Sequence, residues 1–304
     1  MKNIYIIGAG AIGKPLAVFL QRHQRKVVLV RVSEAVPASM QRLAVLSGNG
    51  DLIEEDIAIR ALKDISRFDG PVLVATKSYG NFALADALSH KVEDSPVVLM
   101  QNGLGVEEAF LRDVPGNLYR CILFVTSDYG DNGRVIFRTV MPSQIGVVRG
   151  SRRVLEEVVD AINTPLFPFA STEDIRTVVW SKAIANCVFN SICPVLDIDN
   201  GIFHRSEEAL GIAKSVIAEC VAVAELEGVR ISVEDMTSRI LQISRVSDGQ
   251  LISTLQDIRN KKPTEIDTLN FAVARAAAAH GAGEAVPVTK ALGELTKLKS
   301  MLNG

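Results

Sequence analysis

Paired cysteines, excess charge, long apolar runs and clustered histidines are all scarce in this sequence, and each scarcity closes off a class of function. The four cysteines (Cys121, Cys187, Cys193, Cys220) are scattered with no C-x-x-C pair. That spacing argues against a zinc site or a disulfide framework and fits reduced core thiols in a cytoplasmic protein. Charge of one sign is lacking too: 33 basic and 35 acidic residues leave a net −2. Neither nucleic acid nor a charged membrane surface is indicated as a partner. Apolar runs are short and broken by glycine or charge, below the ~18 residues that span a bilayer. The opening segment has no A-x-A-type cleavage site, so it is not expected to be a secretory signal. The four histidines (His23, His90, His204, His280) stand apart from any Ser, Cys or carboxylate pattern of a nucleophile triad or metal site, so no metal is expected and the proton donor is expected to be a lysine. Repeats and low-complexity tracts are absent as well.

What is present is apolar mass. Hydrophobic residues make up 48% of the 304 positions, enough for a large core and, at this length, for two domains. The amino terminus carries the densest signal. A short apolar run, Ile4-Tyr-Ile-Ile7, reads as a buried strand, and the segment after Gly13 has helical apolar spacing. Between them lies Gly8-Ala9-Gly10-Ala11-Ile12-Gly13. In a strand–loop–helix context Gly8 serves the tight turn, Gly10 the close approach of backbone to a pyrophosphate, and Gly13 the packing of helix on strand. The free N–H groups at the helix start then face the phosphates. These six residues are the expected dinucleotide cradle.

The end of the second strand, Lys26–Val30, selects the cofactor. NAD enzymes place an acid there for the ribose 2′-OH, whereas this chain continues Arg31-Val-Ser33. A guanidinium and a hydroxyl suit the 2′-phosphate of NADP(H); the competing reading gives the acidic role to Glu34. Residues 35–70 read as a further strand and helix with connections. Pro71–Lys77 and Pro96–Asn102 are buried strands ending on polar residues, which places Lys77 and Asn102 toward the crevice at the carboxyl ends of the sheet. Residues 117–126 form another strand. Asp131-Asn-Gly133 signals a hairpin turn before the alternating Arg134–Arg138, and Ser143–Val148 is one more strand. Leu155–Ile162 is a helix and Thr164–Pro168 a linker. The expected fold class is an α/β Rossmann-type doubly wound sheet over 1–169, followed by an all-α domain over 170–304.

The second half reads as helices only. Ser171-Thr-Glu-Asp174 resembles a capping box for a helix from Ile175 to about Asn190, ended by Pro194. Lys182, Asn186 and Asn190 interrupt its apolar pattern at spacings of four, so they share one stripe. Such a stripe on a buried-type helix is costly unless it meets a polar ligand or partner, helix–helix hydrogen bonding and a solvated face being the alternatives. Ser206 to about Glu227 is a long helix, and Ser232-Val-Glu-Asp235 caps the next. Thr264 caps a helix running to His280, with Glu265 in its first turn, where the dipole favours a carboxylate. An amphipathic helical domain of this kind could present a homodimer face.

Together these stretches resemble the ketopantoate reductase (2-dehydropantoate 2-reductase) family over nearly the whole chain. The matching residues are Gly8–Gly13, Arg31, Thr76-Lys77, Gln101-Asn102-Gly103, Trp180-x-Lys182-x-x-x-Asn186-x-x-x-Asn190, Asn200-Gly201, Ser253–Ile258 and Thr264–Asp267. The resemblance implies a Rossmann domain, a helical domain and an active site in the cleft between them. It also implies NADPH-dependent reduction of a small 2-oxo acid, ketopantoate, to (R)-pantoate on the way to pantothenate and coenzyme A. By the same resemblance Lys182 is the general acid and Glu265 the carboxylate that organises it. Asn102 and Lys77 lie at the nicotinamide crevice, Arg31 contacts the 2′-phosphate, and Asn186, Asn190, Asn200 and Ser253 bind substrate. One departure stands out: many members follow the last helix Asn with Pro and a Thr-Ala pair, where this chain has Asn190-Ser-Ile-Cys-Pro194. The rival readings are a reductase of another branched 2-oxo acid and a non-catalytic NADP-binding redox sensor.

Overall fold

A computed structural model describes residues 2–32, 37–130 and 134–303. They form two compact units, Met1–Gln101 with Val106–Ile175, and Asn102–Gly105 with Arg176–Gly304. In chain order the first unit holds β1 (Ile4–Ile7), α1 (Gly13–Arg22), β2 (Val27–Arg31), β3 (Ser39–Ser47), β4 (Leu52–Ala61), β5 (Val72–Val74), α2 (Asn81–Leu88) and β6 (Val97–Leu99). It continues with α3 (Glu108–Asp113), β7 (Leu118–Ile122), β8 (Val125–Tyr129), β9 (Val135–Thr139), β10 (Ser143–Arg149), α4 (Arg152–Ile162) and β11 (Phe169–Ser171).

The eleven strands make one mixed sheet, ordered β11-β10-β7-β6-β5-β1-β2-β4-β3-β9-β8. Its middle, β7 through β4, is parallel. Strands β3 and β10 pair antiparallel with β4 and β7, and β8 with β9. The central strands are apolar throughout because both faces are covered. Ile4, Ile6, Leu29, Leu73 and Val98 pack toward α1 and α4, while Tyr5, Ile7, Val30, Val74 and Leu99 pack toward α2 and α3. Chain direction across the sheet reverses at β1, whose neighbours are β2 and β5, so the loop after β1 stands at the topological switch point.

The sheet also curls. Residues Pro15 to Leu20 of α1 are all buried, which a helix lying on a flat sheet cannot achieve. Phe19 packs edge-on against Phe137 of β9, Phe137 contacts Phe167, and Phe167 stacks on Phe169 of β11 at 4.7 Å. This aromatic chain joins strands from the two ends of the sheet around the helix.

Several sequence expectations are corrected here. Residues 39–61 are a β3–β4 hairpin, where a strand and a helix were expected. Asn49-Gly50 forms the turn, Ser47 N–H donating to Asp51 O, and the flanking residues alternate in burial. Residues 117–126 are not one strand, since β7 and β8 lie far apart in the sheet. Thr164–Pro168 is no linker. Phe167 is wholly buried, and β11 pairs with β10, which carries the first unit on to Ile175 instead of 169. Ser171 belongs to β11 and so is not a helix cap. The Asp131-Asn-Gly133 turn lies outside the described residues.

The second unit consists of α5 (Ile175–Leu196), α6 (Ile202–Arg205), α7 (Glu207–Leu226), α8 (Val233–Val246), α9 (Ser253–Arg259), α10 (Asn270–Ala279) and α11 (Pro287–Leu302). Helix α5 runs through Pro194 instead of ending there. The proline sits in the last turn, so it removes one hydrogen bond where the helix is about to end anyway. At 22 residues with a window of mean hydropathy 1.2, α5 is by length and composition apolar enough to cross a membrane, although Arg176 and Lys182 interrupt its apolar run. That window is 78% buried inside the unit, where α5 is the central core helix. Ser206 and Ser232 cap α7 and α8, each hydroxyl accepting from the amide three residues on. The helix expected from Thr264 to His280 is interrupted. A 3-10 turn covers Ile266–Thr268, Leu269 leaves helical geometry at ψ −104°, and α10 starts at Asn270. Glu265 therefore precedes a single 3-10 turn and gains little from a helix dipole.

Candidate active site

In the first unit the parallel strands end level with one another. Ile7 pairs with Val30 and Val74, and Val74 with Leu99. Gly8, Arg31, Ala75 and Met100 therefore leave the sheet on a common edge. Gly8 has φ +115°, and a Cβ there would lie 2.9 Å from the backbone of Ala75 and Thr76. At Gly13 a Cβ would fall 1.8 Å from Gly8 O, so only glycine lets α1 start this close to β1. Gly10 instead faces open space, with nothing within 4 Å of its absent side chain, and leaves an unobstructed approach to the backbone of Ala9–Ile12. No side chain caps α1, and its first turn holds no acid. An anion is the partner such a terminus accepts.

Arg31 occupies the last position of β2 beside Ala61 of β4. Its Nε is buried with no hydrogen-bond partner, a deficit that a bound phosphate would relieve. The glycine cradle and this donor fit a phosphorylated dinucleotide. Ser33 and Glu34, weighed above for the same role, lie outside the described residues. Lys77 follows β5 and is exposed. Behind it, Asn81 and Gln101 form a buried reciprocal amide pair: Asn81 Nδ2 donates to Gln101 Oε1 at 3.0 Å, and Gln101 Nε2 donates back to Asn81 Oδ1 at 2.6 Å. Asn81 Nδ2 also reaches Val106 O at 2.9 Å, so one residue grips the chain on both sides of the Asn102 loop.

The second unit gathers the remaining residues. Between Val179 and Pro194 every residue of α5 is buried except Lys182 and Asn186, which are half-exposed one turn apart. Asn190 continues their stripe. Its Oδ1 accepts from Ser253 Oγ and from Thr254 N–H, both at 3.2 Å, which ties α5 to the start of α9. Asn200 is buried on the adjoining segment, its N–H donating to Gln250 O at 2.9 Å and its O accepting from Ser244 Oγ at 2.7 Å. Its side-chain Oδ1 is buried without a partner. Gly201 follows because a Cβ would sit 1.8 Å from Asp248 Oδ1. That carboxylate and Asp199 are bridged by Arg205, with oxygens at 2.7 and 2.8 Å. The Arg205 hydrogen bond, with two backbone amides, pulls the Asp199 carboxyl down to about 2.

The Asn102 loop belongs to this unit as well. Leu104 N–H donates to Thr268 O at 2.8 Å, and Gly103, at φ +94°, lies so close that a Cβ would be 2.4 Å from Thr268 O. Thr268 in turn bonds through N–H and Oγ1 to Glu265 O, each at 3.0 Å. The loop carrying Asn102 and the segment carrying Glu265 are thus neighbours. Functional neighbours outside every motif named above include Asn81 and Ser244. They act through contacts 20 and 44 residues distant, and neither sits in a local motif.

A phosphate cradle at the switch point of a parallel sheet, with a lysine–amide stripe on an otherwise buried helix, defines an oxidoreductase that uses a nicotinamide dinucleotide. The models "Ketopantoate reductase PanE/ApbA" and "Ketopantoate reductase PanE/ApbA C terminal" match residues 4–150 and 174–300, and the chain belongs to this family. A 2-dehydropantoate 2-reductase of Pyrococcus abyssi is 27% identical over 304 residues, covering 99% of each chain. Among solved structures, D-mandelate dehydrogenase with NADH and anilino(oxo)acetate superposes with TM-score 0.85 at 20% identity, covering 99% of both chains. The dimeric ketopantoate reductase of Staphylococcus aureus superposes at 0.82 and 19% identity, over 99% of this chain and all of the other. At these identities the two structures speak for the fold.

Proposed function

We propose that this enzyme reduces ketopantoate to (R)-pantoate, a step toward pantothenate and coenzyme A, in the cytoplasm. NADPH, when bound, supplies the hydride. Gly8 to Gly13 would hold its pyrophosphate and Arg31 its 2′-phosphate, and Lys77 and Asn102 would serve the nicotinamide end. Hydride arrival turns the ketone oxygen into an alkoxide, so an ammonium beside it both stabilises that charge and delivers the proton. Lys182 fills this role and Glu265 orients it. Asn186, Asn190, Asn200 and Ser253 bind the carboxylate and hydroxyl of the substrate. One observation carries the reading: along sixteen residues of α5 the only breaks in burial are Lys182 and Asn186, in line with an Asn190 already engaged by Ser253 and Thr254.

The second reading, another 2-oxo acid, follows from the sequence departure after Asn190 and from the likeness to a mandelate dehydrogenase. Against the first of these, Ser191 is wholly buried and its hydroxyl donates to Cys187 O at 2.6 Å, so the departure lies in helix packing. A homodimer belongs to the same proposal, with the exposed Leu295, Leu298 and Leu302 of α11 as the shared face; light scattering tests it. Substrate choice is tested by following dinucleotide absorbance with ketopantoate, 2-oxoisovalerate and the 2-oxo acid of mandelate, each with NADPH and NADH. Turnover is expected with ketopantoate and NADPH. Efficient use of another acid with none of ketopantoate would end the assignment.

A further inference from the structure

We propose that Lys14 is a dinucleotide-binding residue whose ammonium contacts the pyrophosphate, and that β8 holds it in place. This inference rests on the dinucleotide reading of the first unit. Lys14 is the second residue of α1, and that first turn contains no acid and no side-chain cap. A cation there opposes the helix dipole, so in the free protein it is in the wrong place. Helical side chains slant toward the amino terminus, which directs Lys14 back over the glycine loop rather than along the helix. Beneath it lies an element from the far end of the sheet. The Lys14 Nζ stands 5.3 Å from the ring centroid of Tyr129, at the end of β8. Two residues earlier on the same strand, the Ser127 hydroxyl donates to Ala11 O inside the glycine loop. Strand β8 is thereby fastened to the cradle by one bond and positions its cation by a ring face.

The chemistry that resolves the misplaced cation is a phosphate group at the helix start, where backbone N–H groups and an ammonium act on the same oxygens. The pyrophosphate is shared by NADH and NADPH, whereas the 2′-phosphate assigned to Arg31 is not. The two sites therefore separate by cofactor. Dissociation constants for NADPH and NADH are measured by protein fluorescence quenching or calorimetry on the full chain, for wild type, Lys14→Gln, Lys14→Arg, Tyr129→Leu and Arg31→Gln. Lys14→Gln is expected to weaken both dinucleotides by the same factor, about tenfold. Lys14→Arg restores binding, and Tyr129→Leu loses about threefold for both. Arg31→Gln weakens NADPH alone. The melting temperature of ligand-free Lys14→Gln is expected to match wild type, since the unfavourable dipole contact and the favourable Tyr129 ring contact are lost together. Unchanged affinities in Lys14→Gln, or a loss confined to NADPH, would overturn the proposal while leaving the dinucleotide reading intact. A wild-type protein that binds neither cofactor would remove that reading and the proposal with it.

Discussion

Helices α1 and α5 are the buried axes of their units, and they expose chemistry in opposite ways. Helix α1 is apolar on every face from Pro15 to Leu20 and offers a ligand only its end, where backbone amides, the glycine loop and the proposed Lys14 contact come together. Helix α5 is buried at both ends of its middle section and offers its side, through Lys182 and Asn186. The difference matches the two ligands. The pyrophosphate is the same in every dinucleotide, so a fixed backbone cradle with one ammonium beside it suits them all. The proposed ketone substrate needs a proton delivered to one oxygen, a task suited to a titratable side chain.

That contrast can be broken at several points. The largest effect is expected from Lys182→Ala, which removes the proposed proton donor. Turnover should fall by about a thousandfold, with the NADPH dissociation constant unchanged; near-normal kcat would refute the acid assignment. Gly13→Ala comes next. A methyl 1.8 Å from Gly8 O must push α1 off β1, costing about 3 kcal/mol in denaturant unfolding along with the dinucleotide site. Gly10→Ala sharpens the point, since its methyl meets open space: stability should hold while dinucleotide affinity drops. Asn190→Ala leaves the buried Thr254 amide without its acceptor, a stability loss of about 2 kcal/mol, and releases the exposed Ser253 hydroxyl. Because Asn190 and Ser253 are proposed substrate contacts, KM for the 2-oxo acid should also rise, with little change for NADPH.

The smallest effect concerns Asp199 and Arg205. The Asp199 carboxyl titrates at about 2 in the folded protein, below its unfolded value of about 3.9. Its contribution is therefore complete above the unfolded value and is lost as pH falls through about 2. Arg205→Gln should lower the melting temperature at pH 7, and the gap to wild type should narrow between about pH 4 and pH 2. A gap that stayed constant across that window would separate the ion pair from the stability it is credited with.

The parts of this molecule legible in its sequence are those set by neighbours along the chain. The glycine loop, the Arg31 strand end, the lysine–asparagine spacing and the caps at Ser206 and Ser232 are local patterns, and the family resemblance rests on the same residues. Most of the remainder is set by distant partners. The 39–61 hairpin is the exception, since Asn49-Gly50 and the alternation on either side announce it locally. Phe167 looked like linker because its aromatic partners, Phe137 and Phe169, belong to strands from opposite ends of the sheet. Pro194 looked like a stop because nothing nearby shows that the helix needs only two further residues. The pairing of Asn190 with Ser253 spans 63 positions, and no local signal encodes it.

The curl of the sheet has a consequence for how the first unit is made. Helix α1 emerges early with an apolar surface on all sides, yet the strands that finish its enclosure, β9 and β11, are not complete until residue 171. A growing chain therefore carries an incompletely covered greasy cylinder through about half of its synthesis, a span in which self-association and chaperone capture compete with closure. Such long-range closure is also slow for topological reasons. The same wrapping that keeps the finished helix dry makes its assembly the vulnerable step.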